Sequence, residues 1–170
     1  NLTALSNRLL FSATGPDLGT EVWLLDLPPE IAVEQPPGVP LADGVLVWDS
    51  GTVILGGFKN STFTVRNIGG SELTGLGISQ NGVNSADFMV SPLGPPTLAA
   101  GESTTFTVTF MPGAAGVRNA AIHIASNDAD ENPFDITLTG TGLTTVPGTL
   151  AIGGALFTVN EEDGTVNIPI

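Results

Sequence analysis

The stretch Glu102-Ser-Thr-Thr-Phe-Thr-Val-Thr-Phe-Met-Pro112 decides how this chain is read. Phe106, Val108 and Phe110 alternate with Thr105, Thr107 and Thr109. That period of two is the mark of a strand with one face in a core and the other in water. Pro112-Gly113 ends the run, because proline has no donor to offer a ladder. Two strands of the same kind follow. Residues 117–126 set Ile122 and Ile124 inward, and residues 134–139 set Phe134, Ile136 and Leu138 inward against Asp135, Thr137 and Thr139. An acidic turn, Asn127-Asp-Ala-Asp-Glu-Asn132, joins these two.

Toward the N-terminus the pattern continues. Val45 to Trp48 and Asp49 to Leu55 form a first, split strand. In Ser61 to Asn67, Phe63 and Val65 face one way and Thr62, Thr64 and Arg66 the other. Leu73 to Ser79 puts Leu76 and Ile78 on a shared face, and Asp87 to Val90 is a short fourth strand. Strands at this spacing predict an all-β chain, a seven-stranded immunoglobulin-like β-sandwich over residues 43–143, with partial β elements at both ends.

Outside the sandwich, residues 1–26 read as a hairpin, with strands at 8–13 and 19–26 about a Gly15-Pro16 turn. Residues 27–42 hold Pro28, Pro29, Pro36, Pro37 and Pro40 and are expected to be a semi-rigid, extended linker. Residues 144–148 are a short linker, and 149–170 a second hairpin that turns at Asn160 to Gly164. Both hairpins leave an apolar face bare, so the chain is expected to be a piece of something longer.

Composition excludes several functions. Four Lys and Arg against 17 Asp and Glu give a formal charge of −13. Such a field repels polyanions, so no nucleic acid is expected as a partner, and it favours divalent cations. No apolar run approaches a membrane span, so no membrane insertion is expected within the chain. The absence of cysteine removes disulfides, thiolate metal sites and a cysteine nucleophile together. Stability must therefore rest on packing.

Five ordered segments carry a family resemblance. They are Asp49-Ser-Gly-Thr-Val, Phe63-Thr-Val-Arg-Asn-Ile-Gly, residues 98–112, Ile124-Ala-Ser-Asn-Asp-Ala-Asp-Glu-Asn-Pro, and Leu138-Thr-Gly-Thr-Gly. Together they resemble the choice-of-anchor D domain, a bacterial member of the ASH-like group related to the major sperm protein fold. Ser50 departs from it, standing where that family carries an aromatic residue. Phe11-Ser-Ala and Gly19-Thr-Glu-Val-Trp resemble bacterial repeats of the ELWxxDGT type, and residues 149–170 resemble the opening of a Calx-beta domain. The resemblances imply a non-enzymatic structural or adhesion module in a secreted or cell-surface bacterial protein. Its partners would be neighbouring domains and surface glycan or protein ligands. A glycan- or matrix-binding accessory module of a secreted enzyme and an intracellular ASH-like scaffold are the alternatives.

Candidate chemistry is sparse. Asp128, Asp130 and Glu131 in the acidic turn are candidate Ca²⁺ ligands, since calcium takes six to eight oxygens at flexible spacing. Asn and Asp are also simply the residues that close turns. Glu161, Glu162 and Asp163 form a second candidate set, which the Calx-beta resemblance implies would be half a site. His123, the only histidine, faces outward beside Ala121 and Ala125, without partners for a triad or a zinc site. Trp23 and Trp48 are expected to pack rather than stack on sugars. Asn1-Leu-Thr and Asn60-Ser-Thr match a glycosylation sequon that the bacterial resemblance implies is unused.

Overall fold

Period-two sequence becomes period-two burial in the computed structural model, which describes residues 2–5, 8–15, 19–145, 148–152 and 155–159. Strands β1 (Leu2–Leu5), β2 (Arg8–Gly15) and β3 (Gly19–Asp26) form an N-terminal antiparallel sheet in that order. The sandwich follows with β4 (Ile31–Glu34), β5 (Val47–Ile54), β6 (Lys59–Asn67), β7 (Gly77–Asn81), β8 (Phe88–Val90), β9 (Ser103–Phe110), β10 (Gly116–Ala125) and β11 (Phe134–Leu143). A 3₁₀ turn, Ser85–Asp87, precedes β8. Strands β12 (Gly148–Ile152) and β13 (Ala155–Val159) pair beyond it.

One sandwich sheet has the order β5-β11-β10-β7 and the other β4-β6-β9-β8. All neighbours run antiparallel except β5, which lies parallel to β11 with a register shift between Thr139 and Thr141. The expected inward residues of β9, β10 and β11 are all buried, from Phe106 through Ile124 to Leu138. Phe63 stacks on Phe106 at 5.0 Å, Phe88 on Phe110 at 4.7 Å, and Trp48 meets Phe63 edge-on at 5.4 Å. These offset and edge-on geometries are the favoured ones for aromatic pairs. The Thr-Gly-Thr-Gly close of β11 has a packing reason. A Cβ on Gly140 would lie 2.6 Å from the ring of Phe110, so only glycine lets the two sheets approach there.

The structure departs from the sequence reading in several places, beginning with the N-terminal hairpin, which is a three-stranded sheet. The stretch 27–42, expected as a linker, contains β4, an edge strand paired with β6 from Ile31↔Asn67 to Glu34↔Thr64. Its prolines flank the strand without interrupting it, and Ile31 and Val33 enter the core. With β4 the sandwich has eight strands rather than seven. Thr64, expected to face water, is buried, because it sits between Glu34 and Thr105 in the sheet. The C-terminal hairpin pairs 148–152 with 155–159, earlier than expected, and residues 160–170 lie outside the described residues.

Candidate functional site

The acidic turn is built by its own side chains. Ser126 N donates to Asn132 Oδ1, Asp128 N to Ser126 Oγ, and Asp130 N reaches Asp128 Oδ1 at 3.5 Å. Asn127 holds the neighbouring loop, accepting from Thr74 N and donating to Glu72 O. Asn and Asp are suited to this, because their short side chains bond backbone groups two residues away. The effect is to fold Asp128 inward, leaving it 2% exposed.

Buried there, Asp128 does not stand unpaired. Its Oδ2 accepts the Ile31 amide at 2.7 Å, so the loop between β10 and β11 holds the first residue of β4. This brings Glu30 to the turn, and one oxygen each from Glu30, Asp128 and Asp130 lies within 4.8 Å of the others. Burial, and then the charges of Asp128 and Asp130, raise the Glu30 carboxyl above its ordinary value. Glu131 is raised too, by burial first and then by Glu30, Asp128, Asp43 and Asp130.

Asp128 and Asp130 thus come together, while Glu131 joins them through its field and not as a member of the close group. Glu30 was missed. It stands almost a hundred positions upstream in a proline-rich stretch, where the Ile31-Ala-Val33 alternation beside it hinted at a strand. The donors are all carboxylate oxygens, which suit a hard cation such as Ca²⁺. Three side chains give part of a shell, with main-chain or water oxygens needed for the rest. Glu161, Glu162 and Asp163 lie outside the described residues.

Elsewhere the outer faces carry no reactive assembly among the described residues. His123 is half-buried, and its Nδ1 lies 2.6 Å from Asp135 Oδ1. Ser79 is its cross-strand neighbour on β7, but His123 Nε2 has no hydrogen-bond partner, so no hydroxyl is activated. Trp48 packs against the core as expected. Trp23 does not pack as expected: it is 51% exposed on β3, an edge strand. A shallow cleft of about 310 Å³ between β7 and the end of β8 is lined by Ile78, Ser79, Gln80, Val90 and Pro92, with no titratable side chain. No helix among the described residues is long and apolar enough to cross a membrane.

The part of the sandwich that follows β4 matches a family model, that of the HYDIN/CFA65/VesB-like Ig-like domain, over residues 46–141. The chain belongs to this family. The matched domain is Ig-like. Among solved structures, a Porphyromonas gingivalis protein of unknown function is 15% identical with a TM-score of 0.51. That match covers 79% of this chain and 63% of the other, so the chain spans less than two thirds of that relative. The ASH/PapD-like domain 7 of human CEP192 is 13% identical, with a TM-score of 0.47 and coverage of 68% and 87%. The Vibrio cholerae VesB protease is 17% identical, with a TM-score of 0.43 and coverage of 80% and 41%. No curated protein sequence matches the chain significantly.

Proposed function

We propose that this HYDIN/CFA65/VesB-like member is a structural or adhesion module, a spacer within a larger secreted or cell-surface bacterial protein. The observation that carries this reading is the way the sandwich is strung. A β-sheet ends at Asp26 immediately before it, and a β-hairpin begins at Gly148 shortly after it. Strand β3 exposes Val22 and Leu24 on one face and Trp23 and Leu25 on the other. A sheet apolar on both faces requires neighbours. The choice-of-anchor D, ELWxxDGT-repeat and Calx-beta assignments of residues 43–143, 1–26 and 149–170 belong to this reading. The test is turnover: the purified chain is screened against ester, peptide and glycoside substrates. Hydrolysis abolished by a point substitution in this chain would overturn it.

Exposure of Trp23 beside Phe11, its partner in register, favours a second reading as a glycan-binding module. Saturable binding to a glycan array that disappears in Trp23→Ala would establish it over the spacer. In either reading, the carboxylates of Glu30, Asp128 and Asp130 are the group that would hold Ca²⁺, tying the start of β4 to the loop between β10 and β11.

A further inference from the structure

Resting on the spacer reading, we propose that the sandwich is a load-bearing module, gripped through its first strand when the chain is pulled end to end. The register that pairs Ile31 with Asn67 does not stop at β4. Glu30 O accepts from Ile68 N at 2.8 Å and Pro28 O from Gly70 N at 3.0 Å, so the β4–β6 ladder extends back to Pro28. Side chains reinforce it from three directions. Ser71 Oγ donates to Leu27 O at 2.7 Å, Asn67 Oδ1 accepts from Glu30 N at 3.4 Å, and Asp128 Oδ2 accepts from Ile31 N at 2.7 Å. Asn67 itself is fully buried and also donates to Ser71 O and Leu98 O. The close approach depends on Gly69, where a Cβ would lie 2.2 Å from the Pro28 carbonyl oxygen.

The direction of the chain gives this ladder its mechanical meaning. Residues 27–31 lie at the pole where the loop before β11 sits, because Ile31 is bonded to Asp128. Strand β11 then runs ten residues away from that pole, about 30 Å at the usual rise per residue. It leaves at Leu143, whose carbonyl accepts from Leu55 N. The chain therefore enters at one pole and leaves at the other. Hydrogen bonds between antiparallel strands stand perpendicular to the strand axis. Tension from Leu27 to Leu143 loads those of β4 in shear, all together, and draws β11 along the slot between β5 and β10. With β3 ending at Asp26, the N-terminal sheet transmits a pull to this ladder without slack.

The chain has no cysteine, so single-molecule force spectroscopy can use introduced thiols as the sole handles. The full chain is pulled pole to pole through Asp26→Cys with Thr144→Cys. It is pulled across one pole through Asp26→Cys with Ala129→Cys, where the same ladder opens one bond after another. The pole-to-pole unfolding force is expected to be severalfold the higher of the two. Asp128→Asn, pulled pole to pole, is expected to unfold about tenfold faster, equivalent to about 1.4 kcal/mol off the barrier. Phe88→Leu, a core change in the unloaded strand β8, should lower the melting temperature and leave the pole-to-pole force unchanged. Equal forces in the two wild-type geometries overturn the load-bearing role, as does a Phe88→Leu force loss equal to that of Asp128→Asn. The spacer reading fails separately, on catalytic turnover.

Discussion

The amide of Ile31 donates to Oδ2 of Asp128 at 2.7 Å, joining residues 97 positions apart. One buried carboxylate thereby fixes where the first strand of the sandwich begins. Replacing Asp128 with alanine leaves that amide inside without a partner, a loss of about 1–3 kcal/mol. The melting temperature is expected to fall, and hydrogen exchange at the Ile31 amide to quicken more than at β8. An unchanged exchange rate at Ile31 would show that the bond contributes nothing.

Burial first and neighbouring carboxylates second raise two glutamates beside Asp128, while a third is lowered elsewhere, so stability depends on pH in two opposed ways. Glu30 and Glu131 are held above the ordinary glutamate value of 4.5. Folded, they bind protons more readily than unfolded, so stability rises as pH falls through that window and is lost as pH climbs out of it. Glu34 behaves oppositely. The Gly38 amide and then Arg66 hold its carboxyl below 4.5, so its contribution is complete above 4.5 and disappears as pH falls through the folded value. Melting temperature should therefore climb as pH falls toward 4.5 from above, and drop as pH falls further below it. In Glu30→Gln the climb should shrink while the acid drop persists.

Calcium acts on the same repulsion. If Glu30, Asp128 and Asp130 hold Ca²⁺, melting in millimolar calcium exceeds melting in chelator, by about 2.7 kcal/mol of stability when the ion is at a hundred times its Kd. Asp130→Asn should abolish the difference, and magnesium should reproduce little of it, since it demands a tighter octahedral shell. Coincident melts with calcium and chelator dispose of the ligand assignment.

Core packing gives the largest expected effects. Phe106, fully stacked on Phe63, should cost about 3–5 kcal/mol when cut to alanine. Gly140→Ala should cost about 1–3 kcal/mol for the opposite reason, since its methyl meets the Phe110 ring. In the double variant Gly140→Ala with Phe110→Leu, part of the Gly140 penalty should be recovered. Chemical denaturation of the four proteins measures this coupling directly.

Where one face of a strand meets the core and the other meets water, the sequence can be read directly. Phe106, Ile122, Ile136 and their partners illustrate this. Thr64 could not be read that way, because its burial comes from neighbours on both sides and not from its own polarity. Strand β4 was hidden by its prolines, which signal a break although Ile31 to Glu34 between them keep every donor the ladder needs. The acidic turn was visible as composition, yet its close group was not, since Glu30 arrives through long-range pairing. Gly69-Gly70 was the available clue: a glycine pair just past a strand allows another backbone to come close.

The charges also bear on how copies of the molecule meet. Arg8 pairs with Asp26, Arg66 with Glu34 and Arg118 with Asp87, so every arginine is already neutralised within its own fold. Lys59 is the one remaining basic residue of the four, against 17 acids. Two such surfaces have little beyond Lys59 to offer each other as a cation, and they repel over roughly the 8 Å Debye length of physiological salt. Neighbouring molecules are kept apart by their own ions. Concentrated solutions should resist self-association at low ionic strength and crowd more closely as salt is added, so the surface acts as a colloidal stabiliser.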